Sequence, residues 1–265
     1  MEKLLNNAFN GDPRSIGRLI SLVEADSPSA KEIMKKVYPR TGKAMIIGIT
    51  GSPGAGKSTF VDRLIEQFQA EGLRVGVIAI DPSSPFTGGA ILGDRLRMQG
   101  HALNENVFIR SMGSRGHLGG VSRSTHEASL ILDACGFDVV LIETVGVGQS
   151  EVDIIKIADT VVLVLVPGMG DDVQIMKAGI MEIADTFVVN KADREGADKV
   201  AADVQVMLKM LKERDWVPPV TLVSSQNNTG VDEVRKILHD HWNYLKTTDE
   251  GKRRRFLQLE MEVEA

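Results

Sequence analysis

The chain has 265 residues and a formal net charge of −5, with 43% hydrophobic and 25% charged residues, which is typical of a folded globular protein. The negative charge argues against nucleic-acid binding through bulk electrostatics. We expect no signal peptide because the N-terminus MEKLLNNAFNGD has no long apolar segment, and no membrane span because no run of about 18 apolar residues occurs. Since Cys135 is the only cysteine, an intrachain disulfide and a cysteine-based zinc cluster are excluded, and a reducing, cytoplasmic compartment is expected.

The first element in chain order is a helix within the segment GDPRSIGRLISLVE, residues 11–24. Asp12 has the side chain of an N-cap, and Pro13 suits the first helical position, where no N–H is needed. Apolar residues recur at helical spacing and form one stripe, which consists of Ile16, Leu19, Ile20 and Val23. We therefore predict a small helical N-terminal extension over residues 1–43.

Seven short apolar segments rich in β-branched residues follow, and most are continuous rather than alternating. Such segments are typical of parallel strands that are covered on both faces. Helical patterns separate most of them, including residues 58–72 and 197–215. The alternation predicts an α/β fold with a doubly wound, mostly parallel sheet of about seven strands, in one domain over residues 44–246. The predicted strands are residues 45–50, 74–80, 107–112, 138–143, 160–166, 186–190 and 220–224.

Two smaller features have an ordinary structural interpretation. The tetrapeptide IADT occurs at residues 157–160 and 183–186, each time before a predicted strand, and we interpret it as a repeated helix-to-strand turn. Residues 247–265 are highly charged and predict a short C-terminal helical tail. The basic run 253–255 in this tail either binds phosphate or forms a solvated helix face, and we favour the solvated face.

A phosphate-binding loop is indicated by GSPGAGKS, residues 51–58, which fits Gly-x4-Gly-Lys-Ser between a predicted strand and a predicted helix. Glycines allow the backbone N–H groups to surround a phosphate chain, and the helix N-terminus adds partial positive charge. Lys57 can reach the β- and γ-phosphates, and the Ser58 hydroxyl can bind Mg²⁺. The nucleotide-binding residues predicted in this loop are Gly51, Pro53, Gly54, Ala55, Gly56, Lys57, Ser58 and Thr59.

The identity of the nucleotide base is indicated by NKAD, residues 190–193, at the end of the sixth predicted strand. The Asp193 carboxylate can accept two hydrogen bonds from guanine, whereas adenine offers neither donor there. The stem of Lys191 can lie along the base, and Asn190 can join neighbouring loops. SSQ, residues 224–226, ends the next strand, where GTPases usually close over the base. Asn190, Lys191, Asp193, Ser224, Ser225 and Gln226 therefore complete a predicted site for GTP rather than ATP.

The segment ETVGVGQSE, residues 143–151, ends the fourth predicted strand with a carboxylate. Glu143 is predicted to bind Mg²⁺ directly or through water, and the Gly146 N–H is predicted to bond the γ-phosphate. Loss of that phosphate would release the glycine-rich loop, which is the behaviour of a switch. Gln149 is a candidate for orienting the attacking water, although its position in the loop does not establish this role.

Two other carboxylates are candidates for the same centre. Asp81 ends the second predicted strand, where it can join the Mg²⁺ shell or position water. Asp94 either caps the helix that begins near it or contacts the metal, and the sequence favours neither. The predicted catalytic residues are Lys57, Asp81, Glu143 and Gly146. The predicted metal-binding residues are Ser58, Asp81, Asp94 and Glu143.

Together, six segments resemble the methylmalonyl-CoA mutase-associated GTPases, which are MeaB-like G-protein chaperones, over roughly residues 10–245. The segments are GDPRSIGRLISLVE, GITGSPGAGKST, AIDPSSPFTGGAILGDRLRM, RSMGSRGHLGG, ETVGVGQSE and NKAD. This resemblance implies a P-loop GTPase related to signal-recognition-particle and nickel-insertion GTPases. It also implies binding to an adenosylcobalamin-dependent acyl-CoA mutase, with GTP hydrolysis gating cofactor loading, protection and reactivation.

Further expectations follow from the resemblance. Residues 167–177 match a third switch, with Asp171 and Lys177 as regulatory residues; without the family, Lys177 would be interpreted as a solvated helix residue. Members often act as dimers through a C-terminal helical arm that continues well past the position of residue 265. This sequence ends at RRRFLQLEMEVEA, with the arm absent or cut short, so the homodimer of the family is left open. A cobalamin adenosyltransferase is a second candidate partner. Cobalamin itself is expected on the partner, because Arg115 occupies the aspartate position of the Asp-x-His-x-x-Gly signature.

Two alternatives belong to other functional classes. A metallochaperone that inserts nickel would need histidine or cysteine ligands near the switches, but His117, His126 and Cys135 lack close ligand spacing. A transport-associated kinase would use ATP, which Asp193 argues against. The sequence leaves the identity of the client mutase open.

Overall fold

The computed structural model describes residues 1–81, 99–101, 104–113, 120–144, 154, 157–168, 182–210 and 214–264. The helices in these ranges are α1 (Glu2–Phe9), α2 (Pro13–Glu24), α3 (Ala30–Val37), α4 (Lys57–Ala70), α5 (Gly120–Ala134), α6 (Ala197–Leu208), α7 (Val231–Thr247) and α8 (Asp249–Glu264). The strands are β1 (Met45–Gly51), β2 (Val75–Asp81), β3 (Val107–Gly113), β4 (Val139–Thr144), β5 (Thr160–Leu165), β6 (Thr186–Asn190) and β7 (Val220–Val223).

The strands form a seven-stranded sheet in the order β3-β2-β4-β1-β5-β6-β7. Pairing is parallel between β2 and β3, β1 and β5, β5 and β6, and β6 and β7. The predicted α/β fold with a seven-stranded parallel sheet is therefore confirmed, and each strand end lies within one residue of its predicted position. In the part of the chain that the structure describes, no helix has the length and apolarity needed to cross a membrane.

One predicted helix is shorter than its sequence pattern. The pattern extended over residues 197–215, but α6 ends at Leu208. The Met210 N–H bonds to the carbonyl of Met207 at 2.9 Å, which is a three-residue step instead of the four-residue step of an α-helix. This tighter turn ends the helix before the apolar pattern ends.

The chain divides into two compact units, one with residues 1–46 and 68–142 and the other with residues 47–67 and 143–264. In the first unit, α2 packs against α1 and α5. The Asp12 side chain accepts a hydrogen bond from the Ser15 N–H at 2.9 Å, so the predicted N-cap is confirmed. The predicted apolar stripe of α2 is buried throughout. The domain boundaries at residues 43 and 246 stay a prediction.

The second unit is built around strands β5 and β6, in which every residue is buried. Leu163, Phe187 and Val204 belong to one apolar cluster, which joins both strands to α6. The register pairs Gly51 with Val164, and Asn190 with Val223. Because these strands are parallel, their carboxyl ends lie at one edge of the sheet, and the loops that follow β1, β6 and β7 begin there.

A buried ion pair lies at the opposite edge, where β5 and β6 begin. The Asp185 carboxylate accepts two hydrogen bonds from the Arg254 guanidinium, at 2.9 and 2.7 Å, and one from the Val161 N–H at 2.9 Å. His241 lies beside it, with Nδ1 2.8 Å from the Thr160 hydroxyl. Burial lowers the pKa of His241 to about 4, and this outweighs the attraction of Asp185, so the imidazole is neutral at neutral pH.

The interpretation of residues 253–255 as a solvated helix face is wrong for Arg254. Arg253 and Arg255 are exposed, but only 27% of the Arg254 side chain is exposed. Consecutive helical residues point about 100° apart, so the middle arginine faces the sheet while its neighbours face solvent. Asp185, its partner, belongs to one IADT segment and directly precedes β6, so this aspartate has a structural role there.

We expect Arg254→Met to lower the free energy of unfolding by about 3 kcal/mol, because it leaves the buried Asp185 carboxylate without its cation. Urea denaturation of both proteins measures the difference. Arg253→Met is the matched control on the same helix, and its exposed side chain predicts a change within about 0.5 kcal/mol. Equal unfolding midpoints for the two variants would contradict a stabilising role for the ion pair.

Candidate nucleotide-binding site

The phosphate-binding loop connects β1, which ends at Gly51, to α4, which begins at Lys57. Gly51 has a φ of +144°, and a Cβ there would lie 2.1 Å from the Val164 carbonyl oxygen. Gly56 has a φ of +83°, and a Cβ there would lie 2.6 Å from Nδ2 of Asn190. Larger residues at either position would strain the backbone and collide with its neighbours. The strand–loop–helix arrangement required for a phosphate cradle is present.

The Lys57 amine lies across this loop. Lys57 is only 5% exposed, and its Nζ donates hydrogen bonds to the carbonyls of Gly51 at 2.7 Å and Ser52 at 3.0 Å. The amine is thus held at the N-terminus of α4, where a phosphate chain would also meet the positive end of the helix dipole. Ser52 was not among the predicted residues, since it contributes a backbone carbonyl that any residue type could supply.

Ser58 and Glu143 meet beside the loop, although 85 positions separate them in the sequence. The Ser58 hydroxyl donates a hydrogen bond to Oε1 of Glu143 at 2.6 Å, and both residues are buried. A hydroxyl and a carboxylate are the hard oxygen ligands that Mg²⁺ prefers. The donor set therefore fits the metal ion that the sequence pattern predicts at this position.

Two buried threonines connect the ends of β1 and β4. The Thr144 hydroxyl lies 3.2 Å from the Thr50 hydroxyl, to which it donates, and 3.5 Å from the Ile49 carbonyl. This contact holds the residue after Glu143 against the residue before the phosphate loop. Neither threonine was among the predicted site residues, although Thr50 directly precedes the phosphate-loop motif and Thr144 lies within the segment that begins at Glu143.

Asn190 joins the phosphate loop to the loop that follows β7. Its Nδ2 donates to the Ala55 carbonyl at 2.8 Å, and its Oδ1 accepts from the N–H and hydroxyl of Ser225 at 3.1 and 2.8 Å. The side chain is 2% exposed, so the surrounding protein must satisfy these polar atoms. The contacts agree with the loop-joining role expected for Asn190.

Lys191 and Asp193 lie in the turn after Asn190. Lys191 adopts a left-handed φ of +58°, and its Nζ donates to the Gly54 carbonyl at 2.6 Å. Asp193 is exposed, and its Oδ1 accepts a hydrogen bond from the Ser224 hydroxyl at 2.5 Å. That bond lowers the pKa of Asp193, so its carboxylate is ionised at neutral pH and able to accept donors from a base.

The remaining predicted residues fall into two groups. Pro53, Thr59 and Gln226 are exposed beside the loops just described, whereas Ala55 is buried. Asp81 ends β2, but its side chain lies outside the described part of the chain. The predictions for Asp94, Gly146, Gln149, Asp171 and Lys177 also fall outside the described residues.

Known proteins resemble the chain over nearly its whole length. A Pyrococcus horikoshii protein, provisionally named a GTPase, is 53% identical over 99% of this chain and 84% of its own length. The mitochondrial "Methylmalonic aciduria type A homolog" of Caenorhabditis briggsae is 36% identical over 98% of this chain and 68% of its own length.

The solved structure of a protein named LAO/AO transport system kinase superposes with a TM-score of 0.79 at 28% identity, covering 99% of this chain and 80% of its own. The seven-stranded parallel sheet and the phosphate loop after β1 are those of the P-loop GTPase fold. The family model described as "Methylmalonyl Co-A mutase-associated GTPase MeaB" matches residues 16–265. The chain therefore belongs to the MeaB family of methylmalonyl-CoA mutase-associated GTPases.

Proposed function

We propose that this protein hydrolyses GTP to GDP and phosphate, and that it is a chaperone of an adenosylcobalamin-dependent acyl-CoA mutase. The observation that carries the nucleotide assignment is the Asn190 amide, which bonds both the phosphate loop and Ser225. The phosphate loop and Asp193 belong to the same compact unit. The Asp193 carboxylate suits the donors of guanine. Membership of the MeaB family supports the mutase as the partner.

At the phosphate end, backbone N–H groups of the loop and of the first turn of α4 bind the phosphate chain. Lys57 exchanges its carbonyl partners for the β- and γ-phosphate oxygens and neutralises their charge. Ser58 and Glu143 would hold Mg²⁺, which when bound supplies positive charge to the phosphate oxygens. The buried positions of these side chains reduce competition from water.

Four residues complete the proposed hydrolytic site on the strength of the sequence pattern. Asp81 joins the metal shell or positions water, and Asp94 either contacts the metal or caps a helix. Gly146 donates its backbone N–H to the γ-phosphate, so hydrolysis releases its loop. Gln149 is the candidate for orienting the attacking water.

At the base end, Asp193 accepts hydrogen bonds from N1–H and the exocyclic amine of guanine. The Ser224 hydroxyl orients this carboxylate and keeps it ionised. Lys191 lays its aliphatic stem along the base face. Ser225 and Gln226 close the site from the loop after β7. Guanine is thereby selected over adenine, because adenine would leave the carboxylate without donors.

The proposed partner is a mutase of the methylmalonyl-CoA mutase type, whose cofactor loading, protection and reactivation would be gated by GTP hydrolysis. The family description and the name of the Caenorhabditis briggsae relative support this proposal. Residues 167–177, with Asp171 and Lys177, would relay the nucleotide state to the mutase. Cobalamin would remain on the mutase or on an adenosyltransferase. We also propose a homodimer and, from the single cysteine, a cytoplasmic location.

A transport-associated kinase is the second candidate, favoured by the name of the solved structure at 28% identity. It predicts ATP use and phosphate transfer to a protein. The nickel-insertion alternative has less support, because burial raises the pKa of the Cys135 thiol to about 12. A protonated, buried thiol is a poor metal ligand.

The first test is steady-state hydrolysis of GTP and of ATP by the purified protein, with and without a candidate adenosylcobalamin-dependent mutase. We expect turnover of GTP but not ATP, and a higher rate when the mutase is added, because a client would act through the switches. Lys57→Ala is the control and should abolish turnover. ATP turnover at the GTP rate would favour the kinase. GTP turnover that no tested mutase changes would contradict the proposal of a mutase partner.

We expect Asp193→Asn to weaken GTP binding by about 100-fold and to favour xanthosine triphosphate. The NH2 group of asparagine would face the exocyclic amine of guanine, which is also a donor, so a hydrogen bond is lost. The same NH2 group can donate to the 2-carbonyl of xanthine. Titration calorimetry with both nucleotides measures the change. Asp203→Asn, at an exposed position on α6, is the matched control and should bind GTP like the wild type. Unchanged GTP affinity in Asp193→Asn would refute the assignment of the base site.

A further inference from the structure

Arg63, a residue outside every motif, contacts the loop that follows β7. It lies on α4, six residues after Lys57, and its Nε donates a hydrogen bond to the Ser225 carbonyl at 3.2 Å. Its Nη1 donates to both carboxylate oxygens of Glu66, at 2.8 and 2.9 Å. Glu66 raises the pKa of Arg63 and fixes the guanidinium in one orientation. The Ser225 carbonyl therefore receives a charge-assisted hydrogen bond from an oriented donor.

This contact closes a ring of hydrogen bonds between the phosphate loop and the loop after β7. Arg63 holds the Ser225 carbonyl, and the Ser225 N–H and hydroxyl bond to Oδ1 of Asn190. Asn190 in turn donates to the Ala55 carbonyl, and the chain continues from Ala55 into α4. The peptide group before Ser225 is thus held by Asn190, and the peptide group after it is held by Arg63.

The held carbonyl determines where the next backbone donor points. The Ser225 carbonyl and the Gln226 N–H belong to one peptide group, which is planar and trans, so the two bonds point in opposite directions. Holding the carbonyl toward α4 consequently aims the Gln226 N–H away from that helix. Guanine carries an acceptor at its 6-oxygen. 2-Aminopurine has hydrogen there and lacks the N1–H, but it retains the exocyclic amine that Asp193 would read, so its binding does not depend on a donor to the 6-oxygen.

We propose that Arg63 is a positioning residue for guanine specificity, which orients the Ser225–Gln226 peptide so that its N–H bonds the 6-oxygen of the base. The inference rests on the proposed function and adds to it a specificity-determining residue on the phosphate-loop helix. Arg63 acts through the loop and contacts no nucleotide atom itself. It also couples the base end of the site to the phosphate end, because both depend on α4.

The test measures binding of GDP and of 2-aminopurine riboside diphosphate to the full chain and to Arg63→Met. The variant should bind GDP about tenfold more weakly, while its affinity for the 2-aminopurine nucleotide stays within about twofold of the wild type. The KM for GTP should rise by a similar factor with kcat nearly unchanged, since the phosphate-end residues are retained. Unchanged GDP affinity, or an equal loss for both nucleotides, would overturn the proposal.

Two controls separate the loop contact from general effects of the substitution. Glu66→Gln keeps one acceptor oxygen for the Arg63 Nη1, so the guanidinium stays oriented and the Arg63–Ser225 bond is retained; this variant should bind GDP within about threefold of the wild type. Lys236→Met removes an exposed cation from another ion pair within a helix of the same unit and should bind GDP normally. A loss in Glu66→Gln as large as that in Arg63→Met would also overturn the proposal.

Arg63→Lys provides a second variant if Arg63→Met does not fold. Lysine keeps the charge and can pair with Glu66, but it lacks the Nε–H that bonds the carbonyl. It should show the same selective loss of GDP affinity, and wild-type binding would count against the proposal. If the wild type itself does not prefer GDP to ADP, the proposed function fails; if it does and both Arg63 variants behave normally, only this inference fails.

Discussion

The buried side-chain amide of Asn190 is the contact on which the organisation of the site depends. It reaches the phosphate loop 135 positions earlier and the loop after β7 35 positions later. Because a buried amide must have its hydrogen bonds satisfied, moving either loop would leave polar atoms without partners. The parallel sheet makes this possible, since it brings the carboxyl ends of β1, β6 and β7 to one edge. One side chain can therefore organise both ends of a nucleotide site.

The phosphate end contains charged and polar side chains that are buried but bonded to one another or to the backbone. Lys57 is held by loop carbonyls, and Glu143 accepts from Ser58. Such groups are costly to bury without partners, so their mutual contacts hold the loop in shape. The same groups are those that a phosphate chain and a magnesium ion would engage. Local stability and the proposed chemistry therefore rest on the same side chains.

The amino edge of the sheet has a different role. Asp185, Arg254 and the neutral His241 form a buried network that joins α7 and α8 to the starts of β5 and β6. Nothing in this network resembles a nucleotide ligand set, and breaking it is expected to affect stability. The amino edge of the sheet thus anchors the C-terminal helices, and the carboxyl edge carries the proposed nucleotide site. This division is the usual one in α/β folds, where ligands bind at the carboxyl ends of the strands.

The amino-acid sequence by itself determined the strand positions, the parallel sheet, the N-cap of α2 and the short motifs around Lys57, Asn190 and Glu143, because each depends on local spacing and residue type. Only the tertiary structure decided which distant residues meet. Arg63 bonds Ser225 across 162 positions, and Arg254 bonds Asp185 across 69. Neither contact has a local signal, since an arginine on a helix looks solvated until the fold shows which face is covered. Chain topology, rather than composition or periodicity, creates those pairs.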